Sequence, residues 1–194
     1  KHDNQALEKI YHFDRALNSF TISVAIEDYI DIFNELDSAP FKIRDINHYL
    51  RIFLEESSSD IPSKYGIVIQ FTVSREKRDT YKEEKIRSGL KTYFSNVRNS
   101  LKREIKSSHQ KAAFYTFASF MLLLASFALR PVFAENIVLS TLVEGVSIGG
   151  WVFLWEAIST FVFKNRDIRE KYRQYKRFSA AAICFNYLEQ TEPK

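Results

Sequence analysis

The sequence predicts an α+β membrane protein. A small cytosolic α/β domain of two or three strands with helices sits on a long helical stalk, and the stalk is continuous with a two-helix transmembrane hairpin. Three observations predict this. Two β-rich runs, Ser19–Ile26 (SFTISVAI) and Tyr65–Val73 (YGIVIQFTV), flank a pair of helical patterns. An apolar repeat then runs without interruption through Ile86, Leu90, Phe94, Val97, Leu101 and Ile105. Finally, Ala112–Phe163 is nearly free of charge in a chain that is 27% charged overall.

In chain order, Glu27–Leu36 carries Ile26, Tyr29, Ile30, Phe33 and Leu36 at helical spacing. Ile46–Glu55 carries Ile46, Tyr49, Leu50, Phe53 and Leu54, with Asp45 as the expected N-cap. Asp37–Pro40 separates the two patterns, and Ser57–Pro62 reads as the turn that ends the second. A strand, two helices and a strand imply parallel strands joined by a right-handed crossover. From Lys82 the helical pattern continues into the first apolar run, about 70 Å of helix at 1.5 Å per residue. Ile168, Tyr172 and Tyr175 mark a basic helix after the second run. Ala180–Leu188 is read as a strand returning to the domain, with a helix as the alternative. The expected divisions are 1–75 for the α/β domain, 76–111 for the stalk, 112–163 for the hairpin and 164–194 for the basic helix and final strand.

The first apolar run, 112–129, has no charge, Pro or Gly, and its ~18 residues are about the minimum for a span. The second, 137–163, is long enough to span with tilt. Cations crowd both outer flanks, with Lys102, Arg103, Lys106 and Lys111 before the hairpin and Lys164, Arg166 and Arg169 after it, whereas the turn carries only Arg130. The positive-inside rule then places both termini in the cytoplasm and the turn outside, with no cleaved signal expected. Cys184, the single cysteine, suits a reducing compartment.

Within the hairpin, Glu144 and Glu156 are the residues that need explaining. A charge at membrane depth costs ~2.5–3.5 kcal/mol on insertion scales, so each should face protein, water or the interface. Thr141, Gly145, Gly149 and Gly150 form a small-residue stripe that lets helices approach closely. Its expected partner is either the first span, through Ala118, Ser119, Ala125 or Ser126, or a second copy in a homo-oligomer. Trp151 and Trp155 share a face toward the cytoplasmic half. With Lys164, Arg166 and Arg169 they are assigned to the membrane interface, where anionic headgroups attract the cations.

No catalytic set is apparent. His2, His12, His48 and His109 are scattered, and five glycines form no phosphate loop. Asp28, Asp31, Asp37 and Asp45 read as helix-start residues rather than a metal cluster, so no metal or cofactor is expected. A net charge of +4 is too small to imply nucleic acid. The leading expectation is a non-enzymatic module that binds a cytosolic protein or small ligand, for sensing or scaffolding. The alternatives are an oligomeric pore-forming or membrane-disrupting effector, for example in phage defence, and a membrane-anchored hydrolase using the aspartates.

Ser38-Ala-Pro-Phe41, Arg44-Asp-Ile46, Tyr49-Leu50 and the stretch Glu144-Gly-Val-Ser-Ile-Gly-Gly-Trp151 through Trp155 together resemble a group of uncharacterised bacterial two-span membrane proteins. The resemblance extends over most of the chain. It implies two spans and supplies no activity or ligand. After Trp155 this chain departs from the pattern, with Glu156-Ala157 where the group carries Arg-Pro, so the resemblance implies no shared role for Glu156.

Overall fold

A computed structural model describes residues 7–34, 37, 44–74 and 78–188, with the backbone alone at Lys164 and Leu188. Two compact units are present, one from 1–99 and 172–194 and the other from 100–171. Both boundaries fall inside helices.

The first unit is built on a four-stranded sheet of order β1-β2-β3-β4, made of β1 (His12–Asp14), β2 (Ser19–Ala25), β3 (Gly66–Ser74) and β4 (Ala182–Leu188). β2, β3 and β4 are parallel, with Phe20 opposite Ile67 and Ile69 opposite Ile183. β1 is antiparallel to β2 and has no counterpart in the sequence reading. Three residues are too few to show a period of two. The β1–β2 turn is closed by Asp14, whose carboxylate accepts from the Ala16 and Leu17 N–H groups, and by Asn18 at φ 48°.

Strand alternation divides the sheet into unlike faces. Phe20, Ile22, Ile69, Phe71, Val73 and Ile183 are buried on one face beneath Ile32, Phe33, Leu54, Ile86, Leu90 and Phe94. The opposite face is buried at Ser19, Thr21 and Val68 and open at its other end, where Ser23, Ala25, Cys184 and Asn186 are exposed and Gln70 and Thr72 are half-buried. Gly66 opens β3 where a Cβ would lie 2.2 Å from Ser19 Oγ, an oxygen that donates to the Leu17 carbonyl at 2.9 Å. Gly66→Ala is therefore expected to destabilise this unit by about 1–3 kcal/mol, measured as a lower denaturant midpoint.

Three local expectations are corrected. The helix expected over Glu27–Leu36 does not form across its described residues, 27–34. Only a 3₁₀ turn forms, over Tyr29–Ile32, and Phe33 is already extended and bridges Ile46. Asp28 and Asp31 close a reciprocal capping box around that turn. Such a box satisfies the backbone within one turn. The second helix, α1 (His48–Asp60), starts later than expected and is capped by Asn47 rather than Asp45. It also runs on through Ser57–Asp60, which the sequence reading made a turn. Ser57 and Ser58 are buried, and Arg177 Nη1 caps its end by donating to the Ser58 and Ile61 carbonyls at 3.1 and 3.0 Å. The motif residues 38–43 lie outside the described residues.

The second unit is a helical hairpin. α2 (Thr80–Leu129) is one unbroken helix of 50 residues whose earlier turns belong to the sheet unit. α3 (Ile137–Ser159) starts at Asn136, whose Oδ1 accepts from the Val138 and Leu139 N–H groups. The expected second span is divided: α3 stops at Ser159, and a π-helical turn, Thr160–Lys164, joins it to α4 (Asn165–Ala180). Buried Thr160 and Asn165 are five positions apart, where an α-helix would repeat after three or four. The extra residue moves the buried stripe around the helix.

Candidate functional site

The hairpin seam is made by small residues seven apart. Ala112, Ser119 and Ser126 are buried on α2, and Val143, Gly150 and Ala157 on α3. This is a heptad repeat of small side chains, Val143 being the largest, which brings two backbones close together. Ser126 Oγ donates to the Val143 carbonyl at 3.1 Å. At Gly150, a Cβ would lie 2.8 Å from Leu123 Cγ and 3.3 Å from the Leu123 nitrogen. Of the predicted stripe, only Gly150 meets the first apolar segment in this way. Gly145 and Gly149 have nothing within 4 Å of an added Cβ, and Thr141 is exposed, its hydroxyl bonded back to the Ile137 carbonyl.

Around the seam, the hairpin faces outward with apolar side chains. Only 17% and 11% of the residues in the two most apolar stretches are buried. Phe127 and Ile137 are 80% and 82% exposed, and Trp151 and Trp155 are exposed as well. Glu144 pairs with Arg130 at 2.9 Å. Glu156 is exposed and has no hydrogen bond or ion pair among the described residues. Arg166 is exposed, and the Lys164 side chain lies outside the described residues. Arg169 Nη2 approaches His109 Nε2 at 3.1 Å, and the His109 ring meets Phe161 at 5.7 Å.

In the sheet unit, the structure brings together a cluster that the sequence reading missed. Glu83, in the first turns of α2, is 2% exposed. Its Oε1 accepts from Tyr29 Oη at 2.7 Å and from Tyr187 Oη at 2.6 Å, while Arg87 stands 3.8 Å from Oε2. Asp79 N–H donates to Tyr29 Oη, and the Asp79 carboxylate accepts from the Tyr81 and Lys82 N–H groups. Arg87 Nε also donates to the Ile183 carbonyl at 3.0 Å, so it occupies backbone that an edge strand would otherwise expose. One carboxylate thus ties the 3₁₀ turn, the end of β4 and the start of α2. Burial first, and then the bond to Glu83, pushes the Tyr29 phenol up to about 12; the same causes raise Tyr187. A signal for this cluster was present in the sequence: Glu83 falls on the stripe of Ile86, Leu90 and Phe94, where an apolar residue belongs.

On the other side of the core, Tyr175 Oη donates to Glu55 at 2.6 Å, and burial followed by that bond raises its pKa. Among the described residues, no group of three or more His, Cys, Asp or Glu side chains is placed to hold a metal.

These features define a class: a small mixed sheet whose third and fourth strands are joined through a hairpin of two helices long and apolar enough to cross a membrane. No protein family, curated protein or solved structure matches the chain.

Proposed function

We propose that the chain is an integral protein of a bacterial cytoplasmic membrane, spanning it twice with both ends in the cytosol. The sheet unit serves as a non-enzymatic module for a protein or small ligand. The observation that carries this reading is the outward face of the hairpin. A soluble protein buries its large apolar side chains, and isolated exposures of Phe or Trp need no explanation, but a continuous apolar sleeve around two helices does. Lipid removes the cost of that sleeve. It also suits a seam of small residues, since lipid offers no hydrophobic drive for helices to meet and close backbone contact must replace it.

The uncharged open face of the sheet, around Ser23, Gln70, Cys184 and Asn186, is the surface offered to a partner. The Glu83 cluster supports a sensing role, because a shift of the 3₁₀ turn or of β4 would be felt in the first turns of α2.

The topology has a direct test. In intact cells, a membrane-impermeant thiol reagent is expected to label a cysteine introduced at Phe133 and to leave the exposed Cys184 unlabelled until the membrane is permeabilised. Labelling of Cys184 alone would overturn the orientation.

A second reading, a self-associating effector that opens the membrane, is favoured by Glu156 together with Gly145 and Gly149. On one helix face these three leave close-approach positions and a carboxylate unpartnered among the described residues. A second copy would shelter the acid. This reading expects ion flux from liposomes containing the protein that falls in Glu156→Gln; protein that inserts without flux excludes it.

A further inference from the structure

Where the hairpin passes into the π turn, a groove of about 410 Å³ opens along its side, lined by His109, Ala113, Thr116, Leu154, Phe161 and Val162. From the groove, we infer that this hairpin holds one anionic glycerophospholipid at a defined site, with an acyl chain in the groove and the phosphate at the His109–Arg169 pair. This rests on the membrane reading above and deepens it, from general attraction of the basic flanks to a single site.

Three observations converge on it. The lining is apolar apart from Thr116 and His109, and Thr116 Oγ1 is already bonded to the Ala112 carbonyl at 2.9 Å. An alkyl chain can lie there without stripping water from an unpaired polar group. At one end stands a nitrogen pair, Arg169 Nη2 and His109 Nε2, 3.1 Å apart; neither residue has a carboxylate partner among the described residues. An arginine presents a fork of N–H donors suited to phosphate oxygens, and those of Arg169 not held by His109 Nε2 remain for a phosphate. Polarity is also distributed as a phospholipid requires. Lys106, Lys111, Arg166 and Arg169 lie on the end of the hairpin that carries His109, and the groove extends from there toward Thr116 and Leu154. The π turn contributes Phe161 and Val162 to the wall and leaves Asn165 beside it buried, with neither amide atom hydrogen-bonded.

The test uses the full chain reconstituted in nanodiscs of phosphatidylcholine doped with phosphatidylglycerol, then released into the gas phase for native mass spectrometry. The wild type is expected to retain one phosphatidylglycerol in preference to phosphatidylcholine. Arg169→Gln should reduce that preference about fivefold, the worth of one cation near an anionic headgroup. Ala113→Phe should fill the groove and abolish retention of the single lipid, while Lys102→Gln, outside the groove lining, should leave it unchanged. Equal loss in Lys102→Gln and Arg169→Gln would mean a diffuse basic ring and overturn the site. So would retention that survives Ala113→Phe. Disulfide formation between copies carrying Ala113→Cys would show a second chain in the groove and likewise overturn it. Extraction of the wild-type chain from membranes by alkaline carbonate would instead refute the membrane reading. Resistance to carbonate without a retained lipid refutes only this site.

Discussion

Replacing Glu83 by alanine is expected to destabilise the sheet unit by about 3 kcal/mol. Two tyrosine hydroxyls donate to one carboxylate oxygen from positions 54 and 104 residues away in sequence. Bonds to a charged acceptor contribute about 1.5–3 kcal/mol each and do not simply add, and a hydroxyl left unpaired in the interior carries its own desolvation cost. Glu83→Gln keeps an acceptor and should lose less than half as much. The urea midpoint of the full chain in mild detergent, followed by pulse proteolysis, measures both variants. A midpoint for Glu83→Ala equal to the wild type would show that the cluster stabilises nothing.

The same cluster sets an alkaline limit. Tyr29 has its folded pKa raised from 10.0 to about 12, so its contribution to stability is fully present below pH 10 and is lost as pH climbs through about 12. The folded state holds the phenolic proton more tightly than the unfolded state over that window, and stability there must fall with pH. Tyr29→Phe should flatten this part of the stability profile and remove one tyrosine's share of the delayed phenolate absorbance, the raised Tyr175 and Tyr187 keeping theirs.

Substituting Gly150 by isoleucine is expected to break the hairpin seam. A single Cβ already collides with Leu123 at 2.8 Å, and the Leu123 backbone nitrogen behind it at 3.3 Å leaves little room to yield. Separation of the helices should expose Ser126 Oγ and strip its bond to the Val143 carbonyl. Cysteine pairs placed across the seam, such as Ser126→Cys with Val143→Cys or Ala112→Cys with Ala157→Cys, report this as lost crosslinking. Gly145→Ile with Gly149→Ile should leave the seam crosslinks intact, because nothing among the described residues fills those positions. If the proposed self-association uses that face, the same double variant lowers the assembly mass in detergent. An unchanged mass with intact seam crosslinks would remove the oligomer proposal.

Much of the backbone was legible from residue order. Phe20, Ile22, Ile67, Ile69 and Phe71 sit at every second position, as one buried face of a strand requires, and both strands form where that pattern lies. The long helix follows from an apolar stripe at helical spacing with no proline to break it. The two helices long and apolar enough to span a membrane follow from composition alone. Local propensity misled where tertiary contact outweighed it. Tyr29, Ile30 and Phe33 have helical spacing, yet Phe33 is extended and bridges Ile46, which ends after four residues the turn that the capping box of Asp28 and Asp31 begins.

The site residues divide along the same line. Which residues carry charge inside an apolar segment is written in the sequence, and Glu144 and Glu156 were visible on that ground. The partner of Glu144 was not: Arg130 meets it because two helices pack in one register, with Gly150 against Leu123 and no such contact at Gly145 or Gly149 of the same stripe. Glu83 with Tyr187, and His109 with Arg169, are likewise joined only when distant turns are packed together. Periodicity along a chain determines which face of an element is buried. What that face is buried against depends on shape complementarity between elements far apart in sequence, and only the tertiary structure decides it.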